Sequence, residues 1–314
     1  MTNARLAFVF PGQGSQQIGM LADAAAEFPE IRSTFSQASD VLGYDLWDLC
    51  QTGEQADINL TERTQPLLLT ASVALYRAWC ARGGARPARM AGHSLGEWSA
   101  LVCAGTLAFT DGVRLVRERG RLMQEAVPAG EGAMAAVIGL DDAAVEEACA
   151  ASAQGEVVAA VNYNSPGQVV IAGSSAAVGR AIEACKAAGA KRAMPLPVSA
   201  PFHTELMRPA AEKLAPQIEA TVFHAPEIPV IHNVHARPET DPQAIKALMV
   251  EQIYSPVRWT ACVQAMAASG IGQLLECGPG KVLAGLAKRI DRGLGSHNID
   301  APAQFHEALI ATAE

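Results

Sequence analysis

Aromatic residues, charged residues and long hydrophobic runs are all scarce in this sequence. Aromatic residues make up 5% of the 314 positions and charged residues 18%, whereas half of all residues are hydrophobic. A chain of this composition can bury a large core, so intrinsic disorder is excluded. The first apolar run covers only residues 6–10. It is too short for a secretory leader, and no later run is long enough to span a bilayer.

Two further absences concern cysteine pairing and positive charge. The seven cysteines are odd in number and show no C-x-x-C spacing, which predicts reduced thiols rather than a disulfide framework or a zinc site. The formal net charge is −8 and no basic block is present, so general nucleic-acid binding is not expected. Together these features predict a cytoplasmic protein that binds neither nucleic acid nor membrane.

The pattern of apolar runs and turn residues predicts a large α/β domain. A buried parallel strand is expected at 6–10, followed by a glycine-rich turn and a helix over about 16–27. Pro29 and Pro66 are placed to open helices over about 29–42 and 62–82. A short strand near 88–92 follows, and Asp111 is expected to cap a helix that runs to about 126.

A different texture between residues 129 and 197 predicts a small inserted unit. The expected order there is strand, helix, strand, strand, helix, strand, which is a ferredoxin-like arrangement. The α/β pattern then resumes. We therefore expect residues 1–128 and 198–314 to form the large domain and residues 129–197 the small one. A ligand site is expected in the cleft between them.

The strongest single motif is the G-x-S-x-G pattern of residues 92–96, centred on Ser94. A strand that turns sharply into a helix through such a serine exposes its hydroxyl for attack on a carbonyl. The alternative is that Ser94 simply caps the following helix. The amide of Leu95 could supply one oxyanion donor, and the Gly12-Gln13-Gly14 turn another, if the two strands are neighbours.

A serine nucleophile needs a base, and His203 is the best candidate among the seven histidines. It lies in a non-helical segment at the seam between the two domains, whereas His93 should point to the opposite face from its neighbour. His232 and His235 form an H-x-x-H pair with no suitable third ligand, so no metal site is expected. His297 and His306 are expected to lie solvated in the tail.

Arg119 lies in a helix rich in cationic residues, most of which should be at the surface. Its spacing from Val116 and Met123 places it on the apolar face, unlike Arg117 and Arg121. A buried arginine is a strong bidentate receptor for a carboxylate. No acid on the same helix shares that face.

With these residues in view, the chain resembles the malonyl-CoA:acyl carrier protein transacylases, acyltransferases of fatty acid and polyketide synthesis, over nearly its whole length. Several motifs carry the resemblance, and they follow the family's order along the chain. The motifs are FPGQGSQ at 10–16, GHSLGE at 92–97, Arg119, NYNSPGQ at 162–168, Phe202-His203, EQIYSPVRW at 251–259 and ECGPG at 276–280.

The resemblance implies an α/β fold, in which a ferredoxin-like α+β subdomain interrupts a large α/β-hydrolase-like domain with a parallel sheet. It implies a ping-pong cycle in which Ser94 takes the malonyl group from malonyl-CoA and His203 moves the proton. The acyl carrier protein thiol would then collect the group, for fatty acid biosynthesis. The remaining implied roles are oxyanion binding by the Gln13 and Leu95 amides, carboxylate binding by Arg119, orientation of the histidine by the Gln252 carbonyl, and malonyl selectivity from Phe202.

The partners implied are acyl carrier protein and malonyl-CoA or CoA, with no cofactor and a monomeric enzyme. Three alternatives remain at this point. A serine acyl hydrolase would pass the acyl group to water, and a non-catalytic docking subunit would only bind the carrier. The transacylase subunit of a malonate decarboxylase would act on the same malonyl unit with another carrier.

Overall fold

The computed structural model describes residues 2–198 and 200–313, which form two sheets surrounded by helices. The strands are β1 (Thr2–Phe10), β2 (Arg86–Gly92), β3 (Gly132–Ile138), β4 (Val158–Ser165), β5 (Gln168–Ser174), β6 (Arg192–Pro195), β7 (Val230–Ile231), β8 (Gln273–Glu276) and β9 (Gly295–Asn298). This mixed α/β architecture, with one parallel and one antiparallel sheet, confirms the predicted fold class.

The helices that the described residues form fall into three groups along the chain. Those before the small sheet are α1 (Ala22–Glu27), α2 (Pro29–Leu42), α3 (Leu46–Thr52), α4 (Gln55–Ile58), α5 (Thr61–Ala81), α6 (Leu95–Cys103) and α7 (Phe109–Glu125). Those within and after it are α8 (Asp142–Ser152), α9 (Ser175–Ala187), α10 (Arg208–Ala220), α11 (Pro242–Glu251), α12 (Trp259–Ala268), α13 (Val282–Ile290) and α14 (Pro302–Ala311). None of these helices is both long and apolar enough to cross a membrane.

The five-stranded sheet is parallel and has the order β7-β2-β1-β8-β9. Residues 6–10 of β1 are completely buried, as expected for a central strand covered on both faces. In the register of β1 with β2, Phe10 pairs with Gly92. The glycine-rich turn after β1 and the serine turn after β2 therefore leave the same edge of the sheet side by side.

The four-stranded sheet is antiparallel, with the order β4-β5-β3-β6, and α8 and α9 pack against it. The chain order and this strand order are those of a ferredoxin-like unit. The unit has a hydrophobic cluster of its own, built from β3, β4, β5, β6, α8 and α9. We propose on this basis that residues 129–197 form a separate domain inserted between residues 1–128 and 198–314.

Three local expectations were wrong. Helix α7 begins at Phe109, which is nearly buried, so Asp111 lies inside the first turn and pairs with Arg114 instead of capping. The expected helix at 16–27 starts only at Ala22, because the preceding Leu21 adopts a left-handed conformation with φ 63°. The tail was expected to be solvated, but it forms β9 and α14, whose Phe305 is fully buried.

Candidate active site

Ser94 lies at the junction of β2 and α6 in a strained conformation, with φ 52° and ψ −108°. Two close backbone approaches explain the glycines that flank it. A Cβ atom on Gly92 would lie 1.9 Å from the carbonyl carbon of Gly96, and one on Gly96 would lie 2.0 Å from the carbonyl oxygen of Phe10. Only glycine fits at both positions, so the G-x-S-x-G pattern is a steric requirement of this turn.

Asn233 ties the strained turn together. Its Oδ1 accepts a hydrogen bond from the Ser94 amide at 2.8 Å, and its Nδ2 donates to the Gly92 carbonyl at 2.7 Å. Asn233 follows β7, which pairs with β2, so the sheet itself delivers this side chain to the turn. Strain of this kind persists only where surrounding contacts over-determine the conformation.

The Ser94 hydroxyl is joined to a histidine and, through it, to a backbone carbonyl. Oγ of Ser94 is 2.7 Å from Nε2 of His203, and Nδ1 of His203 is 2.9 Å from the carbonyl oxygen of Gln252. The carbonyl can only accept, so Nδ1 carries the proton and Nε2 presents its lone pair to the serine. A serine bonded in this way to an oriented imidazole has the arrangement of an activated nucleophile.

Burial keeps the His203 imidazole neutral. Desolvation and the nearby Arg119 guanidinium lower the pKa of His203 from its usual 6.5 to about 3. The neutral, proton-accepting form is therefore already present at acidic pH. Because the folded-state pKa lies below the ordinary value, protonation favours the unfolded chain. This contribution to the free energy of unfolding is complete above pH 6.5 and is lost as the pH falls towards 3.

We expect acylation of Ser94 to be independent of His203 titration in the pH range where the protein stays folded. The second-order rate constant for acylation by an acyl-CoA should remain level from pH 8 down to about 5, since the free enzyme already holds its base unprotonated. Rapid-quench measurements of the acyl-enzyme at each pH check this, with circular dichroism to confirm folding. A sigmoidal fall centred near the ordinary histidine pKa would contradict it.

Arg119 reaches the same place from the buried face of α7, where it is 1% exposed. Its Nη1 donates to Oε1 of Gln65 at 2.8 Å, and its Nη2 donates to Oε1 of Gln252 at 2.9 Å and to Oγ of Ser94 at 3.3 Å. All of these acceptors are neutral. Burial lowers the pKa of Arg119 only to about 10, so the guanidinium stays charged at neutral pH.

The environment of Arg119 favours an anionic ligand. A buried cation whose hydrogen-bond acceptors are all neutral is stabilised strongly by an incoming carboxylate. The close approach of α5 and α7 brings Gln65 within reach, and glycine at 120 permits it, because a Cβ there would lie 2.4 Å from the carbonyl oxygen of Thr61.

A cleft of about 620 Å³ opens beside these groups and is lined from both sheets. The large sheet and its helices contribute Ser94, Leu95, Arg119 and Gln13, and the small sheet contributes Met134 and Asn162. Phe202 and His203 complete the wall. Among the described residues, no acceptor takes the backbone N–H of Gln13 or of Leu95. Both amides are therefore available to a ligand oxygen.

The structure brings together every residue that the sequence singled out for the site: Gln13, Ser94, Leu95, Arg119, Phe202, His203 and Gln252. It keeps the other histidines out of the chemistry. His93 is bonded through Nε2 to Oδ1 of Asn164 at 2.8 Å, and His232 through Nδ1 to Glu97 at 2.6 Å. The described residues contain no cluster of three or more His, Cys, Asp or Glu side chains suited to a metal ion.

Sequence reasoning missed Glu97, Asn233 and Gln65. Glu97 lies in the nucleophile motif itself, and only its three-residue distance from Ser94 hinted at a role. Asn233 and Gln65 carry no local signal, since each contacts the site across many residues of chain, such as the 139 that separate Asn233 from Ser94.

The fold and this arrangement of serine, histidine and arginine define a serine-dependent acyltransferase, and residues 7–303 match the family model described as "Acyl transferase domain". The chain is 59% identical over 305 residues to the malonyl CoA-acyl carrier protein transacylase of Escherichia coli K12, covering 97% of this chain and 99% of that protein. The chain belongs to the family of malonyl CoA-acyl carrier protein transacylases. The Bacillus subtilis member is 44% identical, with 98% of this chain and 96% of that protein covered.

Solved structures agree with this family assignment. An acyl carrier protein S-malonyltransferase from Vibrio cholerae superposes with a TM-score of 0.95 at 57% identity, covering 96% of this chain and 99% of that one. A second structure is described as a type II PKS acyl-carrier protein in complex with its malonyl-transacylase. Its matching chain has a TM-score of 0.97 at 55% identity, with 98% of this chain and 99% of that one covered.

Proposed function

We propose that this acyltransferase moves the malonyl group from malonyl-CoA to the phosphopantetheine thiol of acyl carrier protein, and so supplies extender units for fatty acid biosynthesis. The observation that carries the proposal is the buried, charged Arg119 with Nη2 3.3 Å from the serine oxygen. An acyl group held on Ser94 with a free carboxylate would place that carboxylate beside the guanidinium. A neutral acyl group gives Arg119 no such partner.

The reaction follows a ping-pong cycle. Oγ of Ser94 attacks the thioester carbonyl while Nε2 of His203 takes the hydroxyl proton, so an O–C bond forms. The tetrahedral intermediate collapses with cleavage of the C–S bond, and His203 returns the proton to the CoA sulfur. The carrier thiol then repeats these steps in reverse order on the malonyl ester.

The oxyanion of each tetrahedral intermediate is assigned to the backbone N–H groups of Leu95 and Gln13. Both amides line the cleft, and neither is engaged by an acceptor among residues 2–198 and 200–313. Leu95 is the first residue of α6, whose positive helix end adds to the stabilisation of negative charge. Gln252 orients the base through its carbonyl, in place of the carboxylate used by many serine enzymes.

Phe202 is proposed as a selectivity residue. Its ring lines the cleft directly before His203 and would crowd a branch at the second carbon of the acyl group. A single methyl group changes binding by only about 1–3 kcal/mol, so this discrimination is moderate.

The chemistry assigned to Ser94 and His203 is complete without a metal or an organic cofactor, and we propose that none is used. The partner is acyl carrier protein, as the printed description of the polyketide relative supports. We further propose a monomeric enzyme that works in the cytoplasm, in keeping with its reduced thiols and acidic net charge.

Arg119→Ala tests the carboxylate role that carries the proposal. The variant is expected to lose a few kcal/mol of transition-state stabilisation with malonyl-CoA, or about 10²-fold in kcat/KM, because the charged receptor is gone. Acetyl-CoA has no carboxylate, so its transfer should fall less or even rise. Transfer of radiolabelled malonyl, methylmalonyl and acetyl groups to holo acyl carrier protein gives the three rates.

Unchanged preference for malonyl-CoA in Arg119→Ala would contradict the carboxylate role. In the same assay, rapid release of free malonate by the wild-type protein whether or not carrier is present would favour a hydrolase. Loading of Ser94 without delivery to acyl carrier protein would favour the malonate decarboxylase subunit, and absence of any acyl-enzyme would favour a docking subunit.

A further inference from the structure

Glu97 is a fully buried acid, close to Ser94, to which the proposed chemistry gives no task. Its carboxylate accepts three hydrogen bonds: from Nδ1 of His232 at 2.6 Å, from Nε2 of Gln252 at 2.7 Å and from the amide of Asn233 at 3.2 Å. Every partner donates, which is the environment of an ionised carboxylate. An ionised group is costly to bury unless it is paired, so this one is held for a reason.

The Gln252 side chain connects Glu97 to the reacting groups. Its Nε2 donates both to Glu97 and to the Ser94 carbonyl at 2.9 Å, while its Oε1 accepts from Arg119 at 2.9 Å. Its backbone carbonyl accepts from His203 at 2.9 Å. One residue therefore contacts the nucleophile's backbone, the base and the carboxylate receptor at once.

Glu97 also fixes which way round the Gln252 amide lies. In the reversed orientation, Oε1 would face the Glu97 carboxylate and the NH₂ group would face the Arg119 cation, so two attractive contacts would become repulsive. The carboxylate thus sets the acceptor that Arg119 sees. Its negative charge also supports the charged form of the buried guanidinium, opposing the effect of burial on the pKa of Arg119.

We propose that Glu97 is a positioning residue for malonyl transfer: it locks the Gln252 side chain and, through it, the orientation of His203 and the placement of Arg119. The proposal rests on the function proposed above. Glu97 touches neither Ser94 Oγ nor His203, and it acts on the transition state only through Gln252.

The test is a double-mutant cycle with Glu97→Gln, Gln252→Ala and the double variant. Each single variant should lower kcat for malonyl transfer by about 10–100-fold, the scale reported for outer partners of catalytic groups, with KM for malonyl-CoA within about threefold of wild type. The double variant should lose no more than either single variant, because both changes break the same connection. All rates are normalised to the fraction of Ser94 that can be acylated.

Glu276→Gln is the matched control. Glu276 is likewise a fully buried acid, and its carboxylate accepts from the amides of Leu283 and Ala284 at the start of α13, outside the Glu97 network. This variant should keep kcat near that of wild type. An equal loss in Glu276→Gln would mean that any buried charge matters to folding, and would overturn the proposal.

Multiplying losses in the double variant, or a kcat of Glu97→Gln within about threefold of wild type, would also overturn the proposal. If Glu97→Gln does not fold, Gln252→Ala decides alone: wild-type kcat overturns the proposal, and reduced kcat at unchanged KM supports it. Failure of the wild-type protein to load malonyl groups would instead refute the proposed function, so the two failures are distinguishable.

Discussion

Replacing Ser94 with alanine is expected to abolish malonyl transfer, with a loss in kcat of about 10⁶-fold by comparison with other serine enzymes. The reason is that the ping-pong cycle has no other route: the CoA thioester and the carrier thiol use the same oxygen in turn. Stopped-flow assays with malonyl-CoA and holo acyl carrier protein measure the rate. Mass spectrometry of the quenched protein should show a malonyl adduct on wild type and none on the variant.

The Ser94→Ala protein should fold normally, because the contacts that hold the turn come from Asn233 and the flanking glycines, not from the hydroxyl. Circular dichroism is the control. Retention of a malonyl adduct at another residue, or residual transfer well above the uncatalysed rate, would contradict assignment of the nucleophile to Ser94.

His203→Ala is the second large loss that we expect, about 10²–10⁴-fold in the rate of acylation, which is the usual contribution of general-base catalysis. The 2.7 Å contact between Oγ of Ser94 and Nε2 of His203 is the only one to a base among the described residues that bond Oγ. Without it the hydroxyl retains its proton during attack. Single-turnover quench with malonyl-CoA isolates this step.

A further signature distinguishes a lost base from a damaged pocket. Acylation by His203→Ala should rise with pH, because hydroxide can replace the missing base, whereas the wild-type rate stays level. The variant's KM for malonyl-CoA should change little, since Arg119 remains bonded to Gln65 and Gln252. A variant with wild-type acylation rates would exclude His203 as the base.

The sequence predicted the architecture well where the chain signals are local. The order of strands and helices from β3 to β6 follows from alternating apolar runs, and the turn between β4 and β5 follows from the motif at residues 164–167. It predicted the start of α7 poorly, because burial of Phe109 outweighs the capping preference of Asp111. The C-terminal elements were missed, since Phe305 is ordered by distant aromatic side chains such as Phe28, 4.4 Å away between ring centroids.

The site shows the same division. Ser94 and the burial of Arg119 could be predicted from motif and spacing, because both are properties of a single turn or helix. The oxyanion donors depended on two strands being neighbours, which the sheet order supplies and the sequence does not. Glu97 became interpretable only when its partners, 135 and 155 residues away, were brought beside it.

The backbone at position 94 has a consequence for adaptation to heat. A left-handed φ of 52° with a ψ of −108° costs a non-glycine residue on the order of 1–3 kcal/mol. Glycine would relieve that cost but carries no hydroxyl. The most stable residue and the reactive residue therefore differ at this position, so a heat-tolerant variant of the enzyme must gain its extra stability elsewhere in the chain.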